Sequence, residues 1–338
     1  MRCFEDFHTG QSETHGAIPV SEADIIAFAC RYDAQDFHID PVAAKSTFAG
    51  GLIASGWHSC ALLMRLLAEA FIRDSSGMGA PGIEEVKWLR PVHPGDVLGA
   101  RWTVLETKDS RSRPEMGLVH IHSELLNQRG ESVLEQRNWK MFGRRGTTLA
   151  APKPNLPLLP PQFVPAPVVV QPSLPKAQPQ PARWFDELVM GDRTELGSLT
   201  FSAEEISAFA GPFDPQIFHL DAEAAKATSF GGLCASGWHT ASVWMQLMVI
   251  ERRRQAASAA GQRTAQLGTS PGFRNLRWIK PVFAGDTISY ATTISEKRAS
   301  ASRPQWGLVF HNNTGTNQHG ELVFSFDGCV FWERRTQG

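Results

Sequence analysis

Apolar residues along this chain change their period in the same order in each half. Ser21-Glu-Ala-Asp24 precedes Ile25, Ile26 and Phe28 at helical spacing, and Ser202-Ala-Glu-Glu205 precedes Ile206 and Phe209 in the same way. A Ser followed three residues later by an acid is the signature of a capping box, so both stretches read as short amphipathic helices. An irregular segment follows each. Residues 56–72 and 237–250 then carry apolar side chains at helical spacing with few polar ones, as a helix buried on most sides would. Beyond that helix the runs 83–92, 97–106, 117–126 and 132–142, with counterparts in the second half, read as strands, and Pro94-Gly-Asp96 and Asn127-Gln-Arg-Gly130 mark turns. One long helix followed by an antiparallel meander predicts an α+β unit in which the sheet wraps the helix.

The two halves are copies. Asp40-Pro-Val-Ala-Ala-Lys45 matches Asp221-Ala-Glu-Ala-Ala-Lys226, and Gly50-Gly-Leu-Ile-Ala-Ser-Gly-Trp-His58 matches Gly231-Gly-Leu-Cys-Ala-Ser-Gly-Trp-His239, both at an offset of 181. Trp88-Leu-Arg-Pro-Val92 matches Trp278-Ile-Lys-Pro-Val282 at an offset of 190, which implies nine extra residues in the second copy. The polar stretch 255–269 is the natural place for them, as a longer loop. Residues 151–181 are crowded with proline, which favours extended polyproline II at ~3.1 Å per residue and excludes a helix or central strand. The chain therefore divides into one unit at 1–146, a tether at 147–182 and a second unit at 183–338, and 338 residues give each unit enough length to bury a core.

Composition narrows the function classes. Hydrophobic content of 42%, charged content of 20% and a net charge of -1 describe a soluble globular protein with no basic stripe for nucleic acid. No run approaches the ~18 apolar residues of a membrane span, and the opening MRCFEDFHTG lacks the apolar core of a secretory signal, so a cytoplasmic location is expected. The cysteines, Cys3, Cys30, Cys60, Cys234 and Cys329, are odd in number and never form a Cys-x-x-Cys pair, which predicts reduced thiols and no structural zinc.

Each irregular segment holds an Asp and a His five residues apart: Asp33 and His38, then Asp214 and His219. A carboxylate and an imidazole in one small cleft can hold a water between them and serve as general acid and base, and such a close pair titrates as a unit. The spacing alone is common. What raises it is its recurrence at one offset ahead of Ala54-Ser-Gly56 and Ala235-Ser-Gly237, each opening a buried helix. Asp40 and Asp221 read as caps of the Ala-Ala-Lys turns, and His58 and His239 as hydrogen-bonded core histidines. Trp57, Trp88, Trp238 and Trp278 read as core or inter-copy packing. Arg113 and Arg303, each in a Ser-Arg-Pro turn, fit a phosphate ligand and a solvated turn equally well. His38 and His219 have no second His or Cys at ligand spacing, so no metal is expected. There is no Gly-x-Gly-x-x-Gly or phosphate-binding loop, so no nucleotide cofactor is expected either.

Each half resembles the MaoC-like hydratases and dehydratases, the hot-dog-fold family that includes the (R)-specific enoyl-CoA hydratases. The signature is an Asp, four residues, a His, an apolar residue and an Asp, followed by a small-residue Gly motif. Here it reads Asp33-Ala-Gln-Asp-Phe-His38-Ile-Asp40 and Asp214-Pro-Gln-Ile-Phe-His219-Leu-Asp221. The commonest family pattern has Asn-Pro in the interval, where this chain has Gln35-Asp36 and Gln216-Ile217.

The resemblance implies a double hot dog, with two antiparallel sheets joined edge to edge into one, each wrapped on a central helix. It implies that Asp33, His38, Asp214 and His219 are catalytic. The backbone amides of Gly56 and Gly237, at positive helix ends, would hold the thioester oxygen, with glycine leaving room for the substrate carbonyl. The implied function is a hydro-lyase on an enoyl or 3-hydroxyacyl thioester, with coenzyme A as part of the substrate and no other cofactor. With the motif intact twice, both sites are expected to work. A thioesterase of the same fold and a non-catalytic acyl-thioester binding module are the alternatives, because fold does not fix function. The expected partner is the acyl thioester, without nucleic acid or membrane, and a homo-oligomer of such units is compatible with the sequence.

Overall fold

A computed structural model describes residues 1–147, 158–167 and 169–335. The first half runs β1 (Ser12–Pro19), α1 (Glu22–Tyr32), α2 (Asp36–Ile39), α3 (Gly56–Leu67), β2 (Gly82–Trp88), β3 (Val97–Asp109), β4 (Met116–Leu126) and β5 (Ser132–Gly143). The second runs β6 (Arg193–Thr200), α4 (Ala203–Phe213), α5 (Ile217–Leu220), α6 (Ala222–Ala225), α7 (Gly237–Ser258), β7 (Gly272–Trp278), β8 (Thr287–Ala299), β9 (Trp306–Thr316) and β10 (Leu322–Glu333). The last four strands repeat β2 to β5 at the constant offset of 190 that the sequence carries.

The ten strands of the described residues form one antiparallel sheet in the order β1-β3-β4-β5-β2-β7-β10-β9-β8-β6. The halves meet where β2 pairs with β7, from Gly82 opposite Arg277 to Lys87 opposite Gly272. Each strand begins with a glycine because a Cβ there would strike the other strand's backbone, Leu276 O for Gly82 and Val86 O for Gly272, at 2.0 Å in both cases. Helices α3 and α7 pack on this sheet and on each other. This is the α+β double hot dog expected from the resemblance.

The meander strands lie close to their predicted ranges, whereas β1 and β6 carried no usable signal. They are the two outermost strands, and Ile18 is the one buried residue of β1, so the apolar alternation that betrays a strand is missing. Polar, short edges are how sheets avoid pairing with other molecules. Ser21 and Asp24 form the full capping box: the Ser21 hydroxyl accepts from Asp24 N at 3.1 Å and Asp24 Oδ2 from Ser21 N at 3.1 Å. Ser202 supplies only its half, because Glu205 turns away to pair with Arg31 of α1 across the halves.

Two expectations need correction. The extra residues of the second copy do not all form a loop. α7 continues to Ser258, where Glu251 accepts from Arg254 at 2.7 Å and from Gln255 at 3.2 Å, one helical turn along. In the first copy the same stretch ends early in a π-helical turn, Ala68–Ile72. The proline-rich joint, of which residues 148–157 and 168 lie outside the described residues, is also more than a tether. Its described residues form no helix or strand, but Phe163 is buried among Phe28, Tyr32 and Phe213. Ser173 exchanges two 2.8 Å backbone hydrogen bonds with Ser198 of β6. Arg65, buried on α3, donates to the carbonyls of Gly211 and Pro212 in the last turn of α4 and to Leu159 of the joint, at 3.1, 3.0 and 2.6 Å.

The glycine at the sheet joint yields a stability test. Gly272 has φ +147° and backbone in the way of a Cβ, whereas Gly130, at φ +74°, has open space. Gly272→Ala is expected to cost about 3 kcal/mol or more in urea unfolding and Gly130→Ala about 1. Equal losses would contradict the role given to the joint.

Candidate active site

Each Asp/His pair is held in place by the same three kinds of neighbour: a backbone carbonyl, a serine hydroxyl and a glutamine amide. In the second half, Asp214 ends α4 and His219 lies on α5, both buried. His219 Nδ1 lies 2.7 Å from the carbonyl of Cys234, which accepts, so Nδ1 carries a hydrogen. Nε2 then faces Asp214 Oδ2 at 3.3 Å. Without a proton on Nε2 a lone pair would point at a carboxylate, so the contact retains one proton. Ser236 Oγ donates to the same Oδ2 at 2.7 Å, and the Gln216 amide donates to Oδ1 at 2.8 Å. Ser236 also caps α7, its hydroxyl accepting from Trp238 N at 3.2 Å, so the carboxylate is tied to the start of the central helix.

The first half repeats this arrangement. His38 Nδ1 lies 2.7 Å from Ile53 O, and Nε2 lies 3.4 Å from Asp33 Oδ2. Ser55 Oγ donates to Oδ2 at 2.6 Å and Gln35 to Oδ1 at 2.8 Å.

Burial alone would lower the pKa of His219, but the charge of Asp214 and the hydrogen bonds to Asp214 and Cys234 outweigh it and push it up to about 10. Burial would raise Asp214, yet the charge of His219 and the bonds from His219, Ser236 and Gln216 leave it below its ordinary value. The pair is an ion pair at neutral pH.

Glycine opens each central helix for a reason that differs from the one expected. A Cβ on Gly56 would lie 2.5 Å from the Trp88 ring, and one on Gly237 would lie 2.1 Å from the Trp278 ring. The side-chain direction is filled by indole. Trp88 Nε1 donates to Gly56 O at 3.1 Å, and Trp278 Nε1 to Gly237 O at 3.0 Å. The backbone amides remain: among the described residues nothing accepts from Gly56 N or Gly237 N, as the first turn of a helix leaves them.

The surroundings of the two pairs differ. A cavity of about 420 Å³ is lined by Asp214, His219, Gly237 and Trp238, and from the first half by Ile83, Gln136, Asn138 and Lys140. At the matching positions around the first pair, Phe273 stands for Ile83, Phe326 for Gln136 and Val330 for Lys140. Trp57 stacks on Phe273 at 5.0 Å between ring centres and 12° between planes, and lies 5.7 Å from Phe326 and 6.0 Å from Trp244. Packed rings thus stand where the second pair's cavity wall has Ile83 and Gln136.

The other candidates resolve as follows. Asp40 accepts from Val42 N at 2.8 Å and Ala43 N at 3.0 Å, and Asp221 from Glu223 N at 2.9 Å and Ala224 N at 3.0 Å, so both are caps. His58 and His239 are buried but not as hydrogen-bonded side chains. They stack on Phe28 at 4.5 Å and Phe209 at 4.8 Å, while His58 Nδ1 and both nitrogens of His239 have no partner among the described residues. Burial lowers both to about 3, which keeps each a flat, neutral ring. Arg113 lines the cavity and bonds Glu115 at 2.9 Å; Arg303 covers the Phe331 ring at 5.0 Å. Among the described residues no group of three or more His, Cys, Asp or Glu is placed to hold a metal ion, and no helix is long and apolar enough to cross a membrane.

The sequence profile of the MaoC like domain matches twice, over residues 5–124 and 189–306. The chain belongs to the MaoC-like family. A mesaconyl-CoA hydratase of Cereibacter sphaeroides is 33% identical over 162 residues, and that match spans 47% of this chain and 46% of the relative. A beta-methylmalyl-CoA dehydratase of Chloroflexus aurantiacus is 23% identical over 359 residues, 98% of this chain and 97% of its own. Among solved structures, a MaoC domain protein of Chloroflexus aurantiacus superposes with a TM-score of 0.76 at 21% identity, covering 99% of this chain and 98% of its own. A Mycobacterium tuberculosis protein described as a double hotdog fold superposes with a TM-score of 0.65 at 15% identity, covering 98% of both chains. These structural likenesses concern the fold.

Three contributors to this MaoC-like site were not singled out from sequence. Ser55 and Ser236, and Gln35 and Gln216, each recur at the offset of 181, so the repeat itself contained the signal. Lys140 has no counterpart, and only the difference between the copies marks it.

The pair yields a prediction with a definite sign. Because the pKa of His219 is raised from 6.5 to about 10, its contribution to stability is complete below pH ~6.5 and is lost as pH rises through about 10. Asp214, being lowered, contributes above its ordinary 3.8 and loses that contribution on acidification. NMR of labelled histidine is expected to find His219 still an imidazolium at pH 8; titration at or below 6.5 would overturn the ion pair.

Proposed function

We propose that this chain is a hydro-lyase of coenzyme A esters, adding water to an enoyl thioester or removing it from the 3-hydroxyacyl form, with Asp214 and His219 as the acid/base pair. One observation carries the reading: a buried pair that holds a single proton and an untaken amide at the head of a 22-residue helix face one cavity. The names of the mesaconyl-CoA hydratase and beta-methylmalyl-CoA dehydratase relatives support the same reaction class on the same carrier.

In the hydration direction, water adds its oxygen to Cβ, and charge moves onto the thioester oxygen. The Gly237 N–H and the positive end of α7 stabilise that oxygen, and preorganised donors of this kind are usually the largest catalytic contribution. Water loses one proton to the pair and Cα gains one from it, so Asp214 and His219 end with the proton they began with. Asp214 Oδ2 already accepts from Ser236 and faces the His219 N–H, whereas Oδ1 accepts from Gln216 alone and keeps a second lone pair for the incoming proton. Ser236, Gln216 and the Cys234 carbonyl hold the pair in orientation and do not react. Arg113 and Lys280, half-exposed in the cavity wall, are suited to the phosphates of the carrier.

The first pair has the same internal geometry, but Phe273 and Phe326, packed on Trp57, stand at the positions that Ile83 and Gln136 hold in the cavity wall of the second. The working site in this reading is the second one, a narrower conclusion than the two sites expected from the repeated motif.

The test is turnover of a panel of short enoyl-CoA esters, followed by loss of enoyl absorbance and separately by thiol release. Asp214→Asn is expected to lower kcat/KM by roughly 10²- to 10⁴-fold, the usual worth of acid/base assistance, and Asp33→Asn to leave it within a few-fold. Abolition by Asp33→Asn alone would refute the assignment, and free thiol appearing in step with substrate loss would make the protein a thioesterase.

A further inference from the structure

Lys140 is the feature of the cavity that the proposed chemistry does not use. It lies on β5 with Gln136 and Asn138, at alternate positions that share the buried face of the strand. On β10 the matching face carries Phe326, Gly328 and Val330. Lys140 is only 7% exposed, yet among the described residues its ammonium has no ion pair or hydrogen bond. A buried ammonium is costly unless paired. Burial brings it down to about 8 against the opposing pull of the Asp214 charge, so it stays largely charged at neutral pH.

The charges lining the cavity do not balance without a ligand. Asp214 and His219 cancel each other, Arg113 bonds Glu115, and Lys280 bonds Glu321. Lys140 is left over. Gln136 donates to Asn138 Oδ1 at 3.2 Å, which extends a polar strip beside the ammonium instead of a neutralising group.

We propose that the cavity selects acyl chains bearing a second anionic group, a carboxylate remote from the thioester, with Lys140 as its counter-charge and Gln136 and Asn138 as its polar neighbours. Deepening the hydro-lyase reading, this makes Lys140 a specificity residue. Its position separates the acyl carboxylate from the carrier's phosphates. Lys140 and Asp214 line the same cavity, and the charge of Asp214 acts on the ammonium, so Lys140 stands on the acyl side of the site. The phosphates of coenzyme A are a whole pantetheine arm away from the thioester. The half-exposed Arg113 and Lys280 are the cations a phosphate would meet.

Succinyl-CoA and butyryl-CoA test this, because they share a four-carbon saturated chain, differ in the terminal carboxylate and undergo no hydration. By calorimetry the wild type is expected to bind succinyl-CoA roughly 10²-fold more tightly. Lys140→Met should erase that preference and leave butyryl-CoA binding intact, in line with the usual cost of removing one member of a buried charge pair. Lys140→Gln serves if the Met variant does not fold. Equal binding of the two esters by the wild type would overturn the proposal. So would a variant that weakens both alike, since Lys140 would then answer to the carrier or to the fold. Absence of turnover with every enoyl ester would fail the hydro-lyase reading while leaving the binding preference to stand or fall on its own.

Discussion

The backbone pairing of β2 with β7 decides where every other wall can be. Five residue pairs in antiparallel register make one sheet of two, and the glycines at its ends let the strands approach where a Cβ would collide. Because the strands run in opposite directions, residues of each half reach the start of the other half's central helix, Phe273 and Phe326 at Trp57, and Ile83 and Lys140 in one cavity with Trp238. The cavity at Asp214 and His219 therefore has Ile83, Gln136, Asn138 and Lys140 of the first half as its far wall. Neither copy could build that site alone. Arg65, Phe163 and the Arg31–Glu205 pair add to the same constraint by fastening the helical layer across the joint.

A site shared in this way lets the two halves diverge by changing walls while keeping the Asp/His pair. Exchanging Ile83 and Gln136 for Phe273 and Phe326 turns a cavity into packed rings, and each fully buried ring contributes on the order of 2–3 kcal/mol. The opposite choice at Lys140 leaves an ammonium in a low-dielectric wall, which costs stability until something neutralises it. The first wall is a solution to folding. The second makes sense only as a solution to binding, and a destabilised group held in place by a stable scaffold is how active sites commonly look.

How much of this the sequence revealed depends on period and repetition. The central helices and the meander strands were legible because long apolar faces must recur at 3.6 or 2. The Asp/His pairs were legible because they recur at one offset, and so were Ser55 and Ser236 in retrospect. The edge strands β1 and β6 were not, since half-solvated strands need no apolar alternation. Lys140 was hidden by the strand period itself. In 134–142 one set of alternate residues contains Gln136, Asn138 and Lys140, and the other contains Arg137, Trp139 and Met141. Each set mixes apolar with polar residues, the first also holding Leu134 and Phe142 and the second Glu135, so the pattern does not single out Lys140; Trp139 stacks on His120 at 4.6 Å, and the set with Lys140 points inward. A period of two tells which residues share a face and not which face is wet.

That the first pair persists against packed rings also has a physical account that needs no turnover. Asp33 accepts from Ser55, which caps α3 through Trp57 N, and from Gln35, while His38 ties its segment to the Ile53 carbonyl. These contacts join α1, α2 and the start of α3, and all are buried or nearly so. Removing one member would strand the others without partners, and an unsatisfied buried polar group costs about 1–3 kcal/mol, more if charged. Such a pair can be retained for its structural contacts alone. The motif Asp, four residues, His marks how the segment is held, and the wall opposite decides whether anything can react there.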